Sequence, residues 1–317
     1  MKNSILVLTG PTAVGKTEAS VQLAKRCQGE IISADSMQVY RKMDIGTAKI
    51  TESEMQGVPH HMIDILEPDE EFNVFEFQKR VKRIIEDIQS RGKLPILVGG
   101  TGFYIQAILK DVEFTQQKTD SSYRNHLEEE AKKPEGKIKL HNKLAAIDPV
   151  SAGNIHPNNV KRVIRALEYY NDTGNRFSTH NEEQQERTSP YNYLYAVLYM
   201  DRSILYDRID KRVDEMMKQG LLKEVENLLR MGYSPSLVSM QGIGYKELVP
   251  VITEHRSLDH AIEELKKNTR HFAKRQMTWF RREKDVDMID RSLFQTTEDL
   301  VDHLIHLAEN KGVMEHE

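Results

Sequence analysis

Eight residues near the start of the chain, Gly10, Pro11, Thr12, Ala13, Val14, Gly15, Lys16 and Thr17, fit the pattern G-x-x-x-x-G-K-[ST] at every fixed position. That spacing is the chemistry of polyphosphate binding. Gly10 and Gly15 let the backbone curl so that its N–H groups point inward at an anion. Lys16 adds a full positive charge, and Thr17 offers a hydroxyl to Mg²⁺. The pattern leaves open which polyphosphate is held and which bond breaks. A second candidate is Asp35, followed by Ser36, Met37 and Gln38. Its carboxylate suits a metal-side Asp, a general base or a turn cap. Asp, Ser and Gln together make a polar loop fit to hydrogen-bond something with edges, such as a nucleobase. A third is Thr101, set among Gly99, Gly100 and Gly102. Three glycines within four residues imply close approach of the backbone to a ligand or another segment, with a plain left-handed turn and a Thr cap as the alternative.

These side chains need elements to carry them. Ile5-Leu6-Val7-Leu8 reads as a strand entering the phosphate loop, and Thr17 to Cys27 as the helix leaving it. A helix opening at Gly15 adds the positive end of its dipole. Ile31 to Asp35 and Leu94 to Val98 read as further strands, with a helix over 72–91 carrying Phe75, Val81, Ile84, Ile85 and Ile88. In an open parallel sheet ligands gather beyond the C-terminal strand ends. Asp35 and Thr101 both fall there. Residues 115–190 lack strand-like runs and predict helices over Asp120–Lys133, Lys137–Ile147 and Val160–Tyr170. Tyr193 to Tyr199 returns to strand, and the next helix puts Arg208 and Arg212 on one face. Two arginines there suit a lid over phosphates, or else pair with neighbouring acids on the surface. The expected fold is α/β, a P-loop NTPase-like (nucleotide-kinase-like) parallel sheet flanked by helices. Residues 1–114 and 191–317 form the core, with 115–190 as a helical insertion.

Composition narrows the function classes. No apolar run approaches the roughly 20 residues of a membrane span, and the start of the chain has no signal-peptide pattern. The single cysteine, Cys27, excludes an intramolecular disulfide and a Cys-rich zinc site. A cytoplasmic protein is expected. His60 and His61 lack a third ligand at metal spacing and read as structural. The net charge of −4 hides a basic stretch: residues 266–284 carry eight Lys or Arg against Glu283 alone, a net +7. Such a patch binds phosphate backbones or is a solvated helix face. Trp279 within it suits either stacking on a base or core packing. A small-molecule kinase is the first class these features suggest, and an RNA-binding module the second.

The whole set is more specific than the loop. The chain resembles the tRNA dimethylallyltransferase (tRNA isopentenyltransferase, IPP transferase) family. The resemblance rests on Gly10–Thr17, Asp35–Tyr40, Asp44–Lys49, His60–Asp64, Gly99–Tyr104, Arg162–Glu168, Gln241–Glu247 and Arg275–Phe280, which run in the family's order. Phe103 stands where the family usually has Leu, a conservative change. The resemblance implies transfer of a dimethylallyl group from dimethylallyl diphosphate to the exocyclic amine of the adenosine 3′ of the anticodon, in tRNAs reading codons that begin with U. Diphosphate is the leaving group. Lys16, the loop amides and Mg²⁺ on Thr17 would then disperse departing charge rather than transfer phosphoryl. The resemblance further implies Asp35 as general base, Thr101 as the group orienting the amine, and Arg124 and Arg212 as diphosphate contacts. Asp35, Ser36, Met37, Gln38, Thr101, Arg124, Lys161, Arg162, Arg165, Gln241, Lys274 and Arg275 are expected against tRNA. A monomer is expected.

Overall fold

A run of four apolar residues without alternation suits a strand covered on both faces. Ile5 to Leu8 lie in such a strand, β1 (Ser4–Thr9), where all six residues are buried. The structure, a computed structural model, describes residues 3–114 and 122–315. β1 sits inside a six-stranded sheet with β2 (Gly29–Ala34), β3 (His60–His61), β4 (Leu94–Gly99), β5 (Asn192–Tyr199) and β6 (Asp287–Asp290). The order is β3-β2-β4-β1-β5-β6, and every pairing is parallel. β1 therefore has β4 on one side and β5 on the other. Its side chains alternate between two cores. Ile5 and Val7 join Ile32, Phe77, Ile105 and Val197 on one face. Leu6 and Leu8 join Leu23, Ile96, Leu198 and Leu304 on the other.

The helices follow the periodicity with local shifts. The Lys16–Arg26 helix leaves the phosphate loop directly. The Val74–Ser90 helix starts where the Asn73 side chain accepts from the Glu76 amide, and it buries Phe77, Val81, Ile85 and Ile88. Phe75, one of the apolar residues read on this helix, is 39 % exposed. Phe77 is buried instead because 77, 81, 85 and 88 share one stripe and 75 falls off it. β3 and β6 were not expected as strands. Nor was the Thr297–Asn310 helix, which packs on the Lys16–Arg26 helix through Leu300, Val301 and Leu304.

The chain divides into two compact units, one running to Leu109 and resuming at Pro190, the other spanning Lys110–Ser189. Within the second, Asp120 and Ser121, the expected helix start, lie outside the described residues. The helix there runs Ser122–Lys132, followed by Gly136–Ile147, Pro149–Asn154, Val160–Thr173 and Phe177–Glu186. Its own core holds Leu127, Leu140, Leu144, Val163, Ile164 and Leu167. No helix among the described residues is long and apolar enough to cross a membrane.

Candidate active site

The phosphate loop is held open by backbone that only certain residues adopt. Gly10 has φ 144° and Gly15 φ 105°, left-handed values that glycine reaches at no steric cost. A Cβ on Gly10 would also lie 2.4 Å from the Leu198 carbonyl oxygen on β5. Lys16 opens the helix after Gly15, and its ammonium donates to Gly10 O at 2.9 Å and Pro11 O at 2.8 Å. Burial, with the Arg212 cation nearby, lowers the Lys16 pKa from 10.5 to about 7, against a smaller opposing pull from Asp35. A cavity of about 620 Å³ opens over this loop, lined by Ala13, Lys16, Thr17, Glu54, Arg208 and Arg212 among others. The arginines come from the Arg202–Gln219 helix. Their face turns toward the phosphate loop. Arg212 forms no ion pair among the described residues; burial lowers its pKa, and Asp35 and Glu54 oppose that shift. Its guanidinium stays charged throughout the neutral range.

Asp35 follows the last residue of β2. Its Oδ1 accepts from the Met37 amide at 2.8 Å and the Gln38 amide at 3.4 Å. The turn-cap role is thus filled by one oxygen, while Oδ2 has no donor among the described residues. Burial raises the Asp35 pKa, and the two amides, Lys16 and Arg212 hold it back. Thr101 follows β4 by two residues, and its amide donates to Ala34 O at 3.2 Å, the residue before Asp35. The adjacent strand ends thereby bring Thr101 beside Asp35. The Thr101 hydroxyl makes no hydrogen bond among the described residues, so it caps nothing.

The neighbouring loop is more fully engaged. Gln38 accepts from the Ser33 hydroxyl at 3.0 Å and donates to Thr47 O at 3.3 Å and Ala48 O at 3.4 Å. Its amide therefore braces the 44–49 loop, with both Nε2 hydrogens engaged. That loop is further fixed by Glu224, which accepts from the amides of Asp44, Ile45 and Gly46. The Lys49 side chain is 5 % exposed and reaches both Asp44 and Asp64. Ser36 is half-buried with no side-chain bond among the described residues. Met37 packs against Gly242, where a Cβ would lie 2.5 Å from Met37 Cε. The neighbouring Gln241 is exposed and donates to Pro235 O at 2.7 Å.

The basic stretch divides. Lys266 pairs with Asp214 at 2.8 Å, Lys267 with Glu264 at 3.0 Å and Arg270 with Asp210 at 2.6 Å. Lys274, Arg275, Arg281, Arg282 and Lys284 are exposed and form no ion pair among the described residues. Trp279 is half-buried against the main core and packs on Gly102, where a Cβ would lie 2.2 Å from its ring. Gly100 meets Gln276 in the same way, at 2.1 Å. Gly100 and Gly102 therefore serve approach to another segment, the Leu258–Phe280 helix, and Gly99 serves approach to Ala34 on β2; none of the three has positive φ. Gln276 was not singled out from sequence. A polar residue on the buried stripe of that helix, in line with Ala273 and Phe280, is the signal that could have found it.

The other candidates have surroundings of their own. Arg124, in the second unit, donates from Nε and Nη2 to Glu168, both at 2.7 Å. Lys161 and Arg162 are exposed and Arg165 half-buried on the Val160–Thr173 helix. His61 Nε2 lies 2.8 Å from Glu30, which Arg91 and Lys93 also engage. His60 Nδ1 bonds Val58 O at 2.8 Å.

The arrangement joins a cationic loop of the polyphosphate-binding pattern to a carboxylate and a hydroxyl at two strand ends, and the chain as a whole is similar to known proteins. A family model described as IPP transferase matches residues 38–283. A Lachnoclostridium phytofermentans protein named tRNA dimethylallyltransferase is 54% identical over 310 residues, covering 98% of this chain and 99% of its own. The solved full-length tRNA isopentenylpyrophosphate transferase of Bacillus halodurans is 44% identical with a TM-score of 0.74, covering 100% of both chains. A eukaryotic dimethylallyltransferase solved acting on tRNA gives a TM-score of 0.84 at 32% identity, covering 99% of this chain and 81% of its own. The fold is the P-loop-like α/β fold of these neighbours, and the chain belongs to the IPP transferase family.

Proposed function

We propose that the protein is a tRNA dimethylallyltransferase. It moves a dimethylallyl group from dimethylallyl diphosphate to N6 of the adenosine just 3′ of the anticodon, in tRNAs reading codons that begin with U, and releases diphosphate. The full-length likeness to proteins of that activity carries this reading over a nucleotide kinase with the same loop. The geometry supports it. Lys16, Arg212 and the loop amides offer positive charge where the departing diphosphate would gather negative charge. Arg124 is a further diphosphate contact in this scheme, and binding there requires exchange with Glu168.

The bond that breaks is the allylic carbon–oxygen bond, whose electron pair leaves with diphosphate. The bond that forms joins N6 to that carbon. An adenine amine is weakly acidic, so its proton leaves late, as the new bond forms. Asp35 Oδ2 is the acceptor, made more basic by burial. Thr101 orients the amine from the next strand end. The adenosine must leave the anticodon-loop stack to reach them, at a cost of a few kcal/mol. Ser36, Met37 and Gln38 border the base, with Gln38 acting through the loop it holds. Lys161, Arg162, Arg165, Gln241, Lys274 and Arg275 grip the stem-loop.

Mg²⁺ fits the donor set. The Thr17 hydroxyl lines the cavity and makes no hydrogen bond among the described residues, and Mg²⁺ bound with phosphates needs only one or two protein ligands. Thr17 would hold it, and the ion would supply added charge dispersal on the diphosphate. The protein acts as a monomer in this proposal. The test is incubation with labelled dimethylallyl diphosphate and undermodified tRNA. Label is expected in tRNA. No label, with ATP consumed on a small acceptor, would establish the kinase instead.

A further inference from the structure

We propose that Gln276 is a positioning residue that holds the donor loop and the acceptor turn in register; this rests on the transferase reading above. Gln276 is 7 % exposed. A buried amide is costly unless its hydrogen bonds are met. Here both are met, by two different walls of the site. Oε1 accepts from the Thr12 amide at 3.0 Å, in the middle of the phosphate loop. Nε2 donates to Gly100 O at 3.0 Å, the residue before Thr101. The amide's orientation is fixed by its partners, since a backbone N–H only donates and a carbonyl only accepts. Among the described residues no other side chain bonds both segments.

The bridge sets a distance that matters for the reaction. One end holds the loop that carries the leaving group, and the other holds the turn that orients the nucleophile. Gly100 has no room for a Cβ beneath the amide, and Trp279 closes on Gly102 one turn further along the same helix. The turn bearing Thr101 is therefore placed from the Leu258–Phe280 helix as well as from β4. Reacting groups held about 1 Å out of place lose roughly 100-fold in rate.

Gln276→Met keeps the volume and removes both hydrogen bonds. Its turnover number should fall roughly 10- to 100-fold, with KM for tRNA within about twofold of wild type. Gln276→Glu keeps the acceptor for Thr12, but its ionised form faces the Gly100 carbonyl with no proton to give. Protonation restores the donor. The ratio of Gln276→Glu to wild-type turnover should therefore rise as pH falls, while the Gln276→Met ratio stays flat. A purely structural residue moves neither ratio with pH once folding is confirmed by thermal melting. Gln276→Glu is the closer isostere, and its pH ratio decides the matter even where Gln276→Met fails to fold. Variants that keep pace with an active wild type, or a flat Gln276→Glu ratio, overturn the positioning role alone. A wild type that labels no tRNA overturns the transferase reading and this inference with it.

Discussion

Raising the pH through neutrality should discharge Lys16 in the free protein, and a bound diphosphate should charge it again. Burial and the Arg212 cation lower its pKa from 10.5 to about 7. That interval corresponds to roughly 5 kcal/mol of work against the ammonium form. The sign follows from the lysine being a cation with a lowered value: it is charged below about pH 7 and increasingly neutral above. At pH 8 the neutral form prevails in the free protein, whereas a diphosphate at the loop favours the ammonium in nearly all molecules. Binding should therefore take up more than about half a proton per site at that pH. The measurement is calorimetric titration with an unreactive thio analogue of dimethylallyl diphosphate, in two buffers of different ionisation enthalpy. The analogue's own last ionisation, about pH 6 for a phosphate ester, is already complete. Lys16→Arg stays charged and should take up almost none. Arg212→Ala removes the opposing cation, so Lys16 returns toward its ordinary value and the uptake shrinks. Wild-type uptake below about 0.2 proton, or equal uptake by Lys16→Arg, would refute a largely neutral Lys16 in the free protein.

Three further outcomes are expected. Asp35→Asn should lower single-turnover transfer by about 10²- to 10⁴-fold while tRNA binding persists; near-normal transfer would remove Asp35 as the base. Lys274→Gln with Arg275→Gln should weaken tRNA binding and reduce the slope of log affinity against log salt by roughly 1.5, and an unchanged slope would exclude both from the backbone contact. Glu30 is 2 % exposed among Arg91, Lys93 and His61, which hold its carboxyl well below the usual range. A lowered acid contributes stability above its ordinary pKa of 4.5 and loses it as pH falls. Glu30→Ala should cost about 1–3 kcal/mol in urea unfolding at pH 7, with the gap narrowing on acidification; a gap constant with pH would rule out the charged cluster as its source.

Local pattern made much of this site legible. The phosphate loop announces itself because eight consecutive residues do all the work of curling the backbone. Asp35 and Thr101 could be placed from strand ends alone. What escaped depended on distant parts of the chain. Gln276 lies 264 residues from Thr12 in sequence, and no local motif marks a polar residue that is buried only because two loops meet it. Gln38 looked like a base reader, since its type and loop fit that role, yet Ser33 and the 44–49 loop occupy its amide. The pairing of Arg124 with Glu168 joins two helices and was equally invisible. β3 and β6 are too short to show alternation, and the order that sets β1 between β4 and β5 is not carried by any one segment.

The brevity of β3 and β6 has a further consequence. They are the two edges of the sheet, with two and four residues. A long flat edge invites strand addition from another chain, leading to open-ended stacking or aggregation. Here one edge ends after His60–His61, and the other is bounded by Asp287 and Asp290, with Lys311 paired to Asp287 at 2.5 Å. Edge strands this short offer little backbone to a foreign strand, and the second carries charged side chains beside it. The fold thus shields itself from runaway sheet extension at both margins.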